Sequence, residues 1–470
     1  MKFILGIKNF GKVKSAEISI GGFSVFVGNN NSGKTYIMQL IYGICNNLTR
    51  YFSDDDLCSR YLQPIDQQAE SGRVRIDAGN IELAEAFINA VLEKYKEEIV
   101  SDTFYKEIEI GSIYVRLLIE EEERFEWLVC HKGAGNELFD ELQFRSADFF
   151  KPVIETIMKE EVLKDHNGCI LSKFHDLNGI EKQEDLSVHL QYKQISSKLV
   201  ASLVNRMADD YKEPLFLPPS RTGLFMLYKD FFANKADEAV EMFGAGVFRK
   251  DYKKSKNLGI TKPVYRFLRF LQTFRPHGES DQNSGLIHFL EEHLIDGKIV
   301  IDQADQPVYQ AEGTQQALPL YLSSSMVNEL APILYVLQSD YKYLIWDEIE
   351  TSLHPQKQME LACLLSRMSN AGFSMIVSTH SDTMAAKINN LCLLSFSRLL
   401  RGKRAEILKK TGLEEADLFK ERIHVYQFEN DDSGHSSVRE LEYDEVTGYQ
   451  FSLFNDSVEQ LLEETRLILE

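Results

Sequence analysis

Gly28-Asn29-Asn30-Asn31-Ser32-Gly33-Lys34-Thr35 decides how this chain is read. The apolar run FSVFV (23–27) precedes it, and Ile37, Met38, Ile41 and Ile44 follow at helical spacing. A buried strand, a glycine-bounded loop and a helix therefore succeed one another, the context in which G-x-x-x-x-G-K-[ST] binds phosphate. The glycines let backbone N–H groups turn inward around phosphate oxygens, and the positive end of the helix starting at Gly33 adds to the field. Lys34 is placed to neutralise the β- and γ-phosphates and the Thr35 hydroxyl to hold Mg²⁺. The expected ligands of this loop are ATP and Mg²⁺.

A phosphate cradle hydrolyses nothing without a carboxylate for the metal and a group that positions water. The apolar strand YLIW (343–346) delivers Asp347 and Glu348 at its C-terminal end, where ligands bind in open α/β sheets. Asp347 is expected on the Mg²⁺ side. Glu348 points the other way on an extended backbone and is expected to polarise the attacking water. A second buried strand ends in Val377-Ser378-Thr379-His380, which puts an imidazole at the same edge, able to donate a hydrogen bond to the γ-phosphate or to the water. Ser323-Ser324-Ser325, ahead of the apolar helix VNELAPILYVLQ, reads on its own as a helix N-cap.

The rest of the chain sets bounds. Its 470 residues exceed one compact core and predict two or three lobes. No run approaches the roughly 18 apolar residues of a membrane helix, and MKFILGIKNF lacks the layout of a secretory leader, so a cytoplasmic location without membrane contact is expected. Six cysteines without a C-x-x-C pair exclude a zinc ribbon and a disulfide framework. A net charge of −20 repels polyanions, so any contact with DNA must use local basic stretches: Arg249 to Lys256, or Arg398 to Lys410. Strands alternating with helices predict an α/β fold, a mixed or largely parallel sheet with helical insertions. The expected division is an ATPase core from 1–50 and 313–470, an insertion of strands and helices over 51–212, a core strand and turn over 213–224, and a mainly helical insertion over 225–312. No heptad pattern is sustained long enough for a coiled coil.

Together these elements resemble the ABC-type P-loop ATPases, and within them the soluble branch of RecF, OLD and SMC-like proteins. The resemblance is strongest to stand-alone AAA-type, OLD-like ATPases, in which the loop reads GxNNSGK, like Gly28 to Lys34. There the acidic strand is followed by E-x-x-L-H-P, as in Glu350 to Pro355, and the next strand ends S-T-H-S, as in Ser378 to Ser381. Residues 1–48 and roughly 315–395 carry it, with PLFLPPSR (214–221) as a further shared element. The resemblance implies a head-to-tail homodimer in which Ser323, Ser324 and Ser325 of one copy cover ATP held by the other, and it implies that Arg221 lies near the nucleotide. A glycine common after those serines is replaced here by Met326. Phe10 stands where an adenine-stacking aromatic is usual, with a place in the core as the plainer reading.

Three functions follow as expectations. The first is an ATPase sensor or scaffold of an anti-phage defence system, resembling the ATPase subunits of PARIS or Septu and working with a separate effector such as a nuclease. The second is a RecF-like or SMC-like DNA-binding ATPase of repair. The third is a nucleotide switch with negligible turnover. Related OLD proteins that cut DNA carry a C-terminal TOPRIM nuclease domain, for which the 90 or so residues after His380 are expected to be too short.

Overall fold

The computed structural model describes residues 2–63, 73–76, 78–118, 127–130, 141–143, 173–175, 181–182, 214–244, 259–274, 283–302, 306–451, 463–464 and 466. The elements that build the site run as follows. The first part holds β1 (Lys2–Phe10), β2 (Val13–Ile20), β3 (Phe23–Gly28), α1 (Lys34–Asn47), α2 (Ala78–Phe104), β4 (Ile110–Leu118) and β5 (Leu215–Leu217). Next come α3 (Arg221–Gly244), α4 (Lys262–Thr273), β6 (Gly297–Ile301), β7 (Pro307–Ala311) and β8 (Ala317–Pro319). The last part holds α5 (Ser325–Leu337), β9 (Tyr343–Trp346), α6 (Pro355–Asn370), β10 (Ser374–Thr379), α7 (Asp382–Phe396), β11 (His424–Asn430) and β12 (Ser436–Glu440).

Nine strands form one sheet in the order β5-β9-β10-β3-β11-β12-β2-β1-β4. From β5 to β11 every pairing is parallel, whereas the hairpin β1–β2 and the edge strand β4 pair antiparallel. The fold is thus an α/β mixed sheet, as the alternation of strands and helices predicts. The parallel strands are apolar at nearly every position because helices cover both faces. Period-two alternation divides them between two cores: Phe26, Ile345, Ile376 and Phe216 face α1 and α2, while Val25, Val27, Leu344, Trp346 and Val377 face α5, α6 and α7.

The expected insertions contribute more to the core than their boundaries imply. Strand β4 pairs with β1 from Lys2↔Leu118 to Phe10↔Ile110, covering an edge that would otherwise stand open. On α2, Phe87, Ile88, Val91 and Leu92 are fully buried against α1. Likewise Phe267, Leu268 and Leu271 of α4 lie in the second core. Parts of 51–212 and of 225–312 thus pack into the body that holds the loop. KIVIDQADQPVYQ forms the expected hairpin, β6 pairing antiparallel with β7. A separate sheet joins Arg73–Ile76, Trp127–Cys130, Glu141–Gln143, Lys173–His175 and Glu181–Lys182. The basic stretch at 249–256 and most of the expected C-terminal helix lie outside the described residues. Among the described residues no helix is long and apolar enough to cross a membrane.

Candidate functional site

Strand register assembles the site. Val27 of β3 lies beside Thr379 of β10, and Val377 of β10 beside Trp346 of β9. The next residues of the three strands, Gly28, His380 and Asp347, therefore leave the sheet along one edge.

At that edge the loop is shaped by close approach. Gly28 has φ +143, and a Cβ there would lie 2.3 Å from the Phe428 carbonyl oxygen; Gly33 has φ +95, and a Cβ there would meet Val13 at 2.6 Å. Helix α1 starts at Gly33 with no side-chain cap and no acidic residue in its first turn, so its leading amides remain available to an anion. Lys34 is 4% exposed, its Nζ donating to Gly28 O at 2.8 Å, Asn29 O at 2.9 Å and Ser32 Oγ at 3.2 Å. Burial outweighs the attraction of Asp347, Glu350 and Glu348 and lowers its pKa from 10.5 to about 8.

His380 lies against the same carbonyl, with Nδ1 2.9 Å from Gly28 O and 3.4 Å from Lys34 Nζ. A carbonyl oxygen only accepts, so Nδ1 carries the proton and the neutral ring offers Nε2 as an acceptor. Burial, reinforced by the Lys34 charge, lowers the His380 pKa below 6.5 and keeps the ring neutral at pH 7. The sequence-based expectation of a hydrogen-bond donor is refined: in this tautomer Nε2 receives a proton rather than offering one.

The carboxylates are held by their neighbours. Asp347 is 1% exposed, and its Oδ1 accepts from Ser378 Oγ at 2.5 Å. Its Oδ2 is buried without a hydrogen-bond partner among the described residues. Glu348 departs from extended geometry, adopting φ +48, a left-handed conformation that costs a side-chain-bearing residue about 1–2 kcal/mol. Its N–H donates to Ser378 Oγ at 2.8 Å, and its carbonyl accepts from Thr351 Oγ1 at 3.0 Å. Burial, then the charges of Asp347 and Glu350, raise its pKa. Glu350 Oε1 accepts from the His380 N–H at 2.6 Å, joining this turn to the end of β10. Ser378 and Glu350 both stand within motifs visible in the sequence, yet their contacts depend on sheet pairing.

Arg221 lies against the backbone of the acidic turn. It is 1% exposed and turned into the protein, where Nε pairs with the Glu329 carboxylate at 3.0 Å. Its Nη1 donates to Pro218 O at 2.9 Å and Asp347 O at 2.8 Å, and Nη2 donates to Glu348 O at 3.2 Å. Phe10 is fully buried against Phe104, and the half-exposed aromatic at the start of α1 is Tyr36. Ser324 caps α5 by accepting from the Val327 N–H, Ser323 Oγ donates to Leu320 O, and Ser324 and Ser325 are exposed. Their contacts stay within the start of α5 and its neighbour Thr222, apart from the loop of their own chain.

A model of the AAA ATPase domain matches residues 1–385. The chain belongs to the AAA ATPase domain family. It is therefore a P-loop ATPase. No curated protein matches the chain. Among solved structures, an SmcHead bound to the C-winged helix domain of ScpA is 13% identical, covering 94% of this chain and 97% of that one, with a TM-score of 0.36. The Smc head domain with an extended coiled coil bound to the C-terminal domain of ScpA, from Pyrococcus furiosus, is 11% identical over 99% and 100%, with a TM-score of 0.34. The SMC head domain from Thermotoga maritima is 11% identical over 94% and 100%, with a TM-score of 0.33.

Proposed function

We propose that this ATPase hydrolyses ATP between the Lys34 loop and the Asp347–Glu348 turn, with Glu348 ordering the attacking water. The supporting observation is that Lys34, His380 and the two carboxylates, far apart in sequence, leave three neighbouring strands at one edge. The loop amides and Lys34 bind the β- and γ-phosphates. Glu348, its pKa raised by burial, accepts a proton from water more readily than a free glutamate does. His380 accepts a second hydrogen bond through Nε2 and so orients that water. The donor set fits Mg²⁺: the buried, unpartnered Asp347 Oδ2 and the Thr35 hydroxyl are hard oxygen ligands that suit a cation completed by phosphate and water. When bound, Mg²⁺ supplies charge neutralisation on the phosphate oxygens. Glu348→Gln should lower steady-state phosphate release by at least about 100-fold with MgATP affinity retained. Undiminished release would remove Glu348 from the reaction.

Dimerisation belongs to the same reading. Exposed Ser324 and Ser325 at the start of α5 set a capped helix N-terminus and the Ser325 hydroxyl toward a second copy's triphosphate, and sedimentation of Glu348→Gln with and without MgATP tests for a nucleotide-dependent dimer. In the cell, we infer a sensor or scaffold of anti-phage defence acting with a separate effector such as a nuclease. The spelling of the motifs supports this, and so does the net charge of −20, which suits a protein partner better than DNA. Copurification with the products of adjacent genes is the test, and no stable complex would count against it. The DNA-binding alternative has exposed Arg401, Lys403 and Lys409 in its favour, although Lys410 is paired with Glu406. It requires duplex binding that weakens steeply with salt.

A further inference from the structure

The buried Arg221 plays no part in the reaction as described, yet its guanidinium touches the backbone on which that reaction depends. On one side it donates to the carbonyls of Asp347 and Glu348, at 2.8 and 3.2 Å. On the other it pairs with Glu329, on the second turn of α5. The second Glu329 oxygen accepts from the Thr222 N–H at 2.9 Å, and Thr222 Oγ1 donates to Ser325 O at 3.2 Å. A continuous chain of hydrogen bonds and one ion pair thus runs from the first turn of α5, through Glu329 and Arg221, to the peptide that presents Glu348. Glu348 needs such support, because its φ of +48 is one that a side-chain-bearing residue abandons when its neighbours permit.

We propose that Arg221 is a positioning residue for hydrolysis, locking the strained Glu348 peptide to the start of α5 so that Glu348 is held in line with the triphosphate only while α5 is in place. The inference rests on the reading of Glu348 given above. A planar guanidinium spans two carbonyls and a carboxylate at once; an ammonium, a single compact charge, does not.

Three variants of the full chain test this, each assayed well below its melting temperature. Arg221→Lys keeps the charge and loses the fork: kcat should fall at least tenfold while MgATP affinity stays within about twofold. Glu329→Gln, which releases the guanidinium from α5, should lower kcat in the same way. Arg221→Met with Glu329→Met removes both buried charges and should fold even where Arg221→Lys does not. Its kcat should fall at least tenfold with MgATP affinity within about twofold, because the Glu348 peptide has lost its support. Turnover within twofold of wild type in natively melting Arg221→Lys or Glu329→Gln overturns the inference. So does an equal loss of kcat and affinity, or wild-type turnover in the double variant. Full turnover by Glu348→Gln would instead overturn the underlying reading and leave these results without their premise.

Discussion

Lys34→Met should make the nucleotide-free protein more stable while abolishing its binding of ATP. Burial moves the Lys34 ammonium from 10.5 to about 8, which sets about 3 kcal/mol against the charged form in the fold at neutral pH. Against this stand its hydrogen bonds to Gly28 O, Asn29 O and Ser32 Oγ. Asn29 is exposed, so water replaces that bond, and Gly28 O keeps its contact with His380, leaving a net loss of about 1 kcal/mol. The variant should therefore gain about 2 kcal/mol at pH 7, a rise of about 2 °C in Tm for a chain of 470 residues. The pH dependence makes the test specific. Between about pH 8 and 10.5 the unfolded chain binds the Lys34 proton and the folded chain does not, so wild-type stability rises across that window and the advantage of the variant disappears. Scanning calorimetry of both proteins at pH 7 and pH 10, without nucleotide, reads the change in the Tm difference, in which all other titrating groups cancel. A variant that melts lower at pH 7, or a difference that is the same at both pH values, refutes the argument.

Two further substitutions probe the supports of the site. Ser378→Ala removes a hydroxyl that donates to Asp347 and accepts from the Glu348 N–H; with one charge-assisted bond lost and one donor orphaned, it should cost about 3 kcal/mol and lower both Tm and phosphate release. Retention of wild-type Tm would show that water replaces the hydroxyl. Gly43→Ala would place a methyl 1.9 Å from the buried Thr103 Oγ1 between α1 and α2, and should lower Tm by the equivalent of about 2 kcal/mol after its gain in helix propensity, with ATP affinity at low temperature unchanged. A Tm equal to that of wild type would mean that the two helices separate without cost.

The phosphate loop, Asp347, Glu348 and His380 could be read from the sequence because each is a short polar segment at the end of an apolar strand, a pattern that local chemistry imposes. Their convergence could not, since the order β9-β10-β3 is a matter of long-range pairing. The core role of α2 is legible in principle, because Phe87, Ile88, Val91 and Leu92 repeat at helical spacing. The resemblance singles out Arg221, but its pairing with Glu329 and with the carbonyls of Asp347 and Glu348 depends on long-range folding. Glu348 likewise gives no sign in the sequence of its left-handed backbone, which comes from Ser378 and Thr351 clamping it on both sides.

The parallel order β9-β10-β3 also bears on how such chains diversify. Adjacent strands stand about 4.8 Å apart whatever connects them, so the spacing between the phosphate loop and the carboxylates is set by the ladder and not by the length of intervening chain. The connecting segments can then differ in length while the loop and the carboxylates stay in register. A chimera carrying a foreign segment between β4 and β5 is the engineering form of that idea.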